Sequence, residues 1–369
     1  MSKIKVSSKT ILDIAPYVPG QSDIAGQKKI IKLASNENPF GCSEAVKAAI
    51  ADSFSKLHRY PDGGVSKLRE KIGATYGINP AKIVCGAGSD EIITLICIAY
   101  AGTGDEVVYT EHGFLMYPIS AMSTGATPVK ALEKGLKADV DEILRVVTPK
   151  TKIVFLANPN NPTGSYLTTE EVEYLRRKLR EDILLVLDYA YAEFIEKAES
   201  PKKDYPNAIE LVDKFDNVLM MRTFSKVYGI PSVRLGWSYA SAEVTDILNR
   251  VRGPFNVSSL AQIAGVAALE DQAFVIKTVR HNNKWLETCT NAINLMGFKV
   301  YPSVGNFILV DFASEKRANE VDEFLKKRAI IIRPMKAYGL PSCLRISIGL
   351  DEENMALLAA LEEYKSSKI

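Results

Sequence analysis

From about residue 45 onward the chain alternates short apolar, β-rich runs with helical stretches. The runs are KIVCGAG, EVVYT, TPVKAL, TKIVFLANP, ILLVLDYAY, NVLMMRTFSK and LGWSYA. Several are apolar on both faces, and strands of that kind separated by helices bury themselves best in a largely parallel sheet covered on two sides. SDEIITLICIAYA follows the first run, and TTEEVEYLRRKLRE precedes the fifth, opening on N-cap hydroxyls and early carboxylates. An α/β layout of this kind binds ligands at the carboxyl ends of its strands.

Beyond Pro254 the pattern changes to long helical stretches followed by FKVYPSVGNFILVDF, AIIIRPM and CLRISIG. The first forty residues, rich in Pro, Gly and Asn with little periodicity, read as an extended arm that needs a neighbour to lie on. A chain of 369 residues suits one large and one smaller domain. The expected division is an arm over 1–44, a large α/β domain over 45–253 and a smaller α+β domain over 254–369.

Composition narrows the function. The 46 basic and 44 acidic side chains leave a net charge of +2, which offers no electrostatic footprint for nucleic acid. The start, MSKIKVSSKT, lacks the apolar region of a signal peptide, and no apolar run is long enough to span a bilayer, so no membrane partner and a cytoplasmic location are expected. Five cysteines without a C-x-x-C pair read as buried hydrophobes, and three histidines without ligand spacing make a metal site improbable. Any difficult chemistry then falls to an organic cofactor.

Four segments carry such chemistry. RTFSKVYGIPSVRLGW, residues 222–237, supplies Lys226, Ser225 beside it and Arg234 eight residues on. A lysine that forms an imine must be deprotonated part of the time, and a neighbouring cation lowers its pKa enough to allow this. LANPNNPTG, residues 156–164, makes a tight turn after a strand that could present Asn161, although a plain turn would read the same way. LVLDYAYAEF ends an apolar strand on Asp188 with Tyr191 three residues later. A buried carboxylate there is costly unless it meets a cation, and a protonated pyridine nitrogen is one; a helix N-cap is the alternative. In CGAGSDEII the backbone N–H groups of Gly88, Ser89 and Asp90 could hold a phosphate at a helix N-terminus, or simply cap it.

The order and spacing of the four are more specific than any one. The chain resembles the fold type I pyridoxal-phosphate aminotransferases, and within them the branch acting on histidinol phosphate. The resemblance runs through KLASNENPFG, RYPDGG, GAGSDEII, NPNNPTG, DYAY, TFSKVYGIPSVRLGW and CLRISIG, over essentially the whole chain. It implies a mostly parallel seven-stranded sheet between helices, a smaller α+β domain and pyridoxal 5′-phosphate as cofactor.

Position by position, the resemblance makes Lys226 both covalent carrier of the cofactor and catalytic base, and Asp188 the partner of the pyridine nitrogen. Asn161 and Tyr191 become donors to the ring 3-oxygen. Ser225, Arg234 and the turn Gly88–Ser89–Asp90 would grip the phosphate, joined by Tyr60 from the other subunit of a homodimer. Phe114 holds the position of the stacking aromatic, where many relatives have Tyr. Arg345 would bind the substrate carboxylate, Arg333 a second anion, and the arm residues Tyr17, Asn36 and Glu37 would lie over the substrate pocket. The implied substrates are histidinol phosphate or imidazole acetol phosphate, with glutamate and 2-oxoglutarate as the second pair, in histidine biosynthesis. An aromatic amino-acid aminotransferase and a threonine-phosphate decarboxylase keep the same cofactor site; a ligand-sensing DNA-binding regulator is disfavoured by the near-neutral charge.

Overall fold

In the computed structural model, which describes residues 6–18, 20–26 and 29–367, the seven apolar runs form one sheet. Its strands are β1 (Ile83–Gly86), β2 (Glu106–Thr110), β3 (Thr127–Ala131), β4 (Thr151–Ala157), β5 (Leu184–Asp188), β6 (Val218–Thr223) and β7 (Gly236–Tyr239), in the spatial order β1-β7-β6-β5-β4-β2-β3. All are parallel except β7, which runs antiparallel to both its neighbours. Every residue of β5 and β6 is buried, as the unbroken apolar runs require of central strands. Successive residues go to opposite faces. Val154, Leu156, Leu185 and Leu187 enter one apolar layer, and Ile153, Phe155, Leu184 and Val186 the other.

Helix α1 (Ser89–Tyr100) follows β1 directly, starting after Gly88, whose φ of 91° is open to glycine and strained for other residues. Helix α2 (Thr169–Lys178) starts with a capping box: the Thr168 hydroxyl accepts from the Glu171 N–H while the Glu171 carboxylate accepts from the Thr168 N–H. After the last strand of this sheet and helix Ala242–Val251 come α3 (Ser259–Glu270) and the long α4 (Gln272–Leu295).

The second sheet, β8 (Lys299–Tyr301), β9 (Phe307–Asp311), β10 (Arg333–Pro334) and β11 (Cys343–Ser347), is antiparallel in the order β8-β9-β11-β10. With α5 (Glu315–Lys326) and α6 (Asp351–Ser366) it encloses a separate core around Ile308, Val310, Ile346 and Leu361. Helix α4 bridges the two cores: Val275 and Val279 belong to the first, Trp285, Cys289 and Ile293 to the second.

The N-terminal segment finds its neighbour within the same chain. Ile31–Lys32 pairs in parallel with Ile330–Ile331, and Leu33 is buried in the second core, a contribution of about 2 kcal/mol. Residues 1–5, 19, 27 and 28 of the expected arm lie outside the described residues. All five cysteines are free and four of them buried. Among the described residues, no single helix is long and apolar enough to cross a membrane, and no group of side chains could hold a metal ion.

Candidate active site

Strands β4, β5 and β6 end side by side, and their last residues Ala157, Asp188 and Thr223 open onto a cavity of about 340 Å³. The start of α1, the segment 34–36 and strands β10 and β11 complete its walls, so the cavity lies between the two sheets.

Asp188 forms one end. Buried at the last position of β5, it accepts a hydrogen bond from the Tyr117 hydroxyl at 2.7 Å and one from the Ala190 N–H at 3.1 Å. Burial pushes its carboxyl up from 3.8 to about 6, against the opposing pull of those two donors and of Lys226. Tyr117 is held flat on Phe155, ring centroids 4.6 Å apart. Sequence reasoning missed Tyr117, although it stands three residues after Phe114 at the start of helix Met116–Ser123, the spacing that brings both rings toward one face. Phe114 also lines the cavity, edge-on to Tyr117.

A second region is built for an anion. Ser89 and Asp90 open α1, where N–H groups lack intrahelical acceptors. Arg234 adopts a left-handed backbone, φ 54°, and its Nη2 lies 2.9 and 2.8 Å from the Asp90 carboxylate oxygens. Its Nη1 reaches the Ser225 hydroxyl at 3.4 Å. A Cβ on Gly88 would fall 2.4 Å from Arg234 Nη2, so the close approach of turn and guanidinium depends on glycine. Ser89, Asp90, Ser225 and Arg234 all line the cavity, and Gly88 caps the helix behind them.

Lys226 lines the same cavity. Its Nζ makes one long contact, 3.5 Å to the Ser35 carbonyl, and sits 5.6 Å from the Tyr191 ring centre. Tyr191, packed edge-on to Phe307, accepts a hydrogen bond from the Asn36 side chain at 2.9 Å.

The far wall carries two arginines on neighbouring strands, Arg333 and Arg345 in direct register. Arg345 is buried; its Nη1 donates to Asn161 Oδ1 and its Nη2 to the Ala34 carbonyl at 2.8 Å, while Nε has no protein partner among the described residues. Burial pushes its pKa down, and the adjacent Arg333 adds to that. A buried cation with a free N–H beside a second cation calls for an anionic ligand. Arg333 Nη2 donates to the Val18 carbonyl at 2.8 Å, and Tyr17 lines the cavity beside it.

Thirteen residues expected at the site thus meet in one cavity: Tyr17, Asn36, Ser89, Asp90, Phe114, Asn161, Asp188, Tyr191, Ser225, Lys226, Arg234, Arg333 and Arg345. Tyr60 does not line it within this chain; the residue is 83% exposed, with its ring stacked on Phe255. Glu37 turns away to an ion pair with Lys32. The residues fit pyridoxal phosphate: an anion cradle of helix N-terminus, hydroxyl and guanidinium, a lysine amine, a flanking aromatic ring and a buried carboxylate.

The chain belongs to the class I and II aminotransferases, the family it matches over residues 28–361. Among its relatives are two histidinol-phosphate aminotransferases. That of Paramagnetospirillum magneticum is 51% identical over 356 residues, 96% of this chain and 97% of the relative. That of Rhodospirillum rubrum is 49% identical over 360 residues, 97% and 96% of the two chains. Its fold is similar to the crystal structure of histidinol-phosphate aminotransferase from Sinorhizobium meliloti in complex with pyridoxal-5′-phosphate, with a TM-score of 0.86, 29% identity and 92% of each chain covered.

Proposed function

We propose that this enzyme transfers an amino group between histidinol phosphate and 2-oxoglutarate, using pyridoxal 5′-phosphate, as a step of histidine biosynthesis. The reading rests on one cavity that Lys226 shares with a buried aspartate and a pair of arginines in register, in a chain about half identical to relatives named for that activity.

The bound cofactor supplies an electron sink and a temporary seat for the amino group. Ser89, Asp90, Ser225 and Arg234 anchor its phosphate through backbone N–H, hydroxyl and guanidinium donors. Asp188 holds positive charge at the ring nitrogen, which repays the cost of burying its carboxylate. Phe114 would cover a ring face, and Tyr191 with Asn161 would donate toward the ring 3-oxygen. Lys226 Nζ, weakly tethered, would take the proton from the substrate carbon, hold it as an ammonium and deliver it to the carbon that carries the transferred amino group. Arg345 binds the carboxylate of the dicarboxylic partner, and Arg333 takes the phosphate of one substrate and the second carboxylate of the other.

The working unit is a homodimer in the cytoplasm. Tyr60 and Phe255, both exposed and stacked, are available to a second copy, and the unpaired cysteines suit a reducing compartment. Single-turnover conversion of the pyridoxal form by histidinol phosphate, phenylalanine, tyrosine and threonine phosphate tests the substrate. Fastest conversion with histidinol phosphate is expected. Preference for the aromatic amino acids would move the enzyme to another pathway, and carbon dioxide release from threonine phosphate would overturn the transfer reaction.

A further inference from the structure

Three consecutive residues of the N-terminal segment each touch one functional side chain. The Ala34 carbonyl takes Arg345, the Ser35 carbonyl faces Lys226, and the Asn36 amide meets Tyr191. Asn36 is buried with a left-handed backbone, φ 54°, and all its polar groups are engaged. Its N–H donates to Ser347 Oγ at 2.8 Å, its Oδ1 pairs with the same hydroxyl at 3.1 Å, and its carbonyl accepts from Asn306 Nδ2 at 2.9 Å.

Proton counting orients this cluster. A backbone N–H can only donate, so Ser347 Oγ accepts from Asn36, and the serine's single proton goes to Asn36 Oδ1. Reversing the amide would leave that buried hydroxyl proton without an acceptor, at a cost of roughly 1–3 kcal/mol. The amide NH₂ therefore faces Tyr191, whose oxygen must accept. No protein acceptor for the Tyr191 proton occurs among the described residues, and Tyr191 lines the cavity.

We infer that Asn36, locked by Ser347, is a positioning residue that forces the Tyr191 hydroxyl proton into the cavity, onto the ring 3-oxygen of the cofactor. The inference rests on Tyr191 being the donor to that oxygen, as proposed above. It gives the segment a chemical duty: once docked, it occupies the Tyr191 oxygen as an acceptor and leaves the hydroxyl proton to be donated into the cavity.

Asn36→Asp tests it, because Asp keeps the shape and tolerates a left-handed backbone but accepts where Asn donates. The readout is the pH midpoint of the absorbance change of the lysine-bound cofactor in the holoenzyme, with cofactor affinity alongside. A hydrogen bond to the 3-oxygen favours its anionic form and holds the midpoint low. Tyr191→Phe should raise the midpoint by roughly one unit, and Asn36→Asp by a similar amount. In the double variant the lost donation counts once, and any excess over Tyr191→Phe measures the added carboxylate. Ser347→Ala, which unlocks the amide without adding charge, should move the midpoint the same way by less, again with no effect in the Tyr191→Phe background. A wild-type midpoint in Asn36→Asp or Ser347→Ala overturns the inference and leaves Tyr191 as donor, as does a Ser347→Ala shift that persists in the Tyr191→Phe background. An unshifted Tyr191→Phe refutes the donor itself, and the inference with it. Where Asn36→Asp fails to fold or load, Ser347→Ala decides alone.

Discussion

Tyr117→Phe isolates the energetic cost built into the cavity. In the cofactor-free protein, burial raises the Asp188 carboxyl from 3.8 to about 6. The folded state then binds that proton more tightly than the unfolded chain, so stability falls as pH rises between about 4 and 6 and stays lowered above. A shift of about two units amounts to roughly 3 kcal/mol. The Tyr117 hydroxyl, 2.7 Å away, opposes this shift. Removing a hydrogen bond to a charged group costs about 1.5–3 kcal/mol, against about 1 for a neutral one. The variant's Asp188 should therefore titrate higher still, by roughly half a unit to one and a half units. Denaturant unfolding of cofactor-free protein should show Tyr117→Phe less stable than wild type by about 1 kcal/mol near pH 5, where the carboxyl is mostly protonated, and by about 2–3 near pH 8. In an Asp188→Asn background that pH dependence should vanish. An equal loss at both pH values, or a larger one at pH 5, would refute the reasoning.

Arg345→Lys keeps a charge but loses the planar fork; kcat/KM should fall roughly 100-fold (about 3 kcal/mol) in steady-state assays while cofactor affinity holds. Gly88→Ala places a Cβ 2.4 Å from Arg234 Nη2, and should weaken cofactor binding at least about tenfold with circular dichroism unchanged. If Tyr60 serves the neighbouring subunit, mixing inactive Lys226→Ala subunits with Tyr60→Ala subunits should regenerate one complete site per mixed dimer. No recovered activity in subunit exchange would place Tyr60 in its own site.

Alternating apolar runs made the sheet readable, because a parallel strand buried on both faces has little freedom in composition. Even the residues that end the strands, Asp188 above all, could be picked out, since a charge at the end of such a run needs a reason. The antiparallel sense of β7 leaves no mark in LGWSYA, whose residues are buried whichever way the strand runs. Asp90 was read for its N–H, yet its carboxylate also pairs with Arg234 across 144 residues. Partners as distant as Asn36 and Ser347, 311 residues apart, have no local signature at all. The change of pattern near Pro254 reflects a shift from strands to helices. The first core continues past it through Ala261, Ala264, Val275 and Val279, and α4 goes on into the second through Trp285, Cys289 and Ile293.

Reductive trapping of the holoenzyme with borohydride, followed by peptide mass mapping, tests the central claim most directly. The cofactor's mass is expected on the peptide containing Lys226 and on no other, with no trapped adduct in Lys226→Ala. Cofactor fixed to a different lysine, or unchanged turnover in Lys226→Ala, would contradict it.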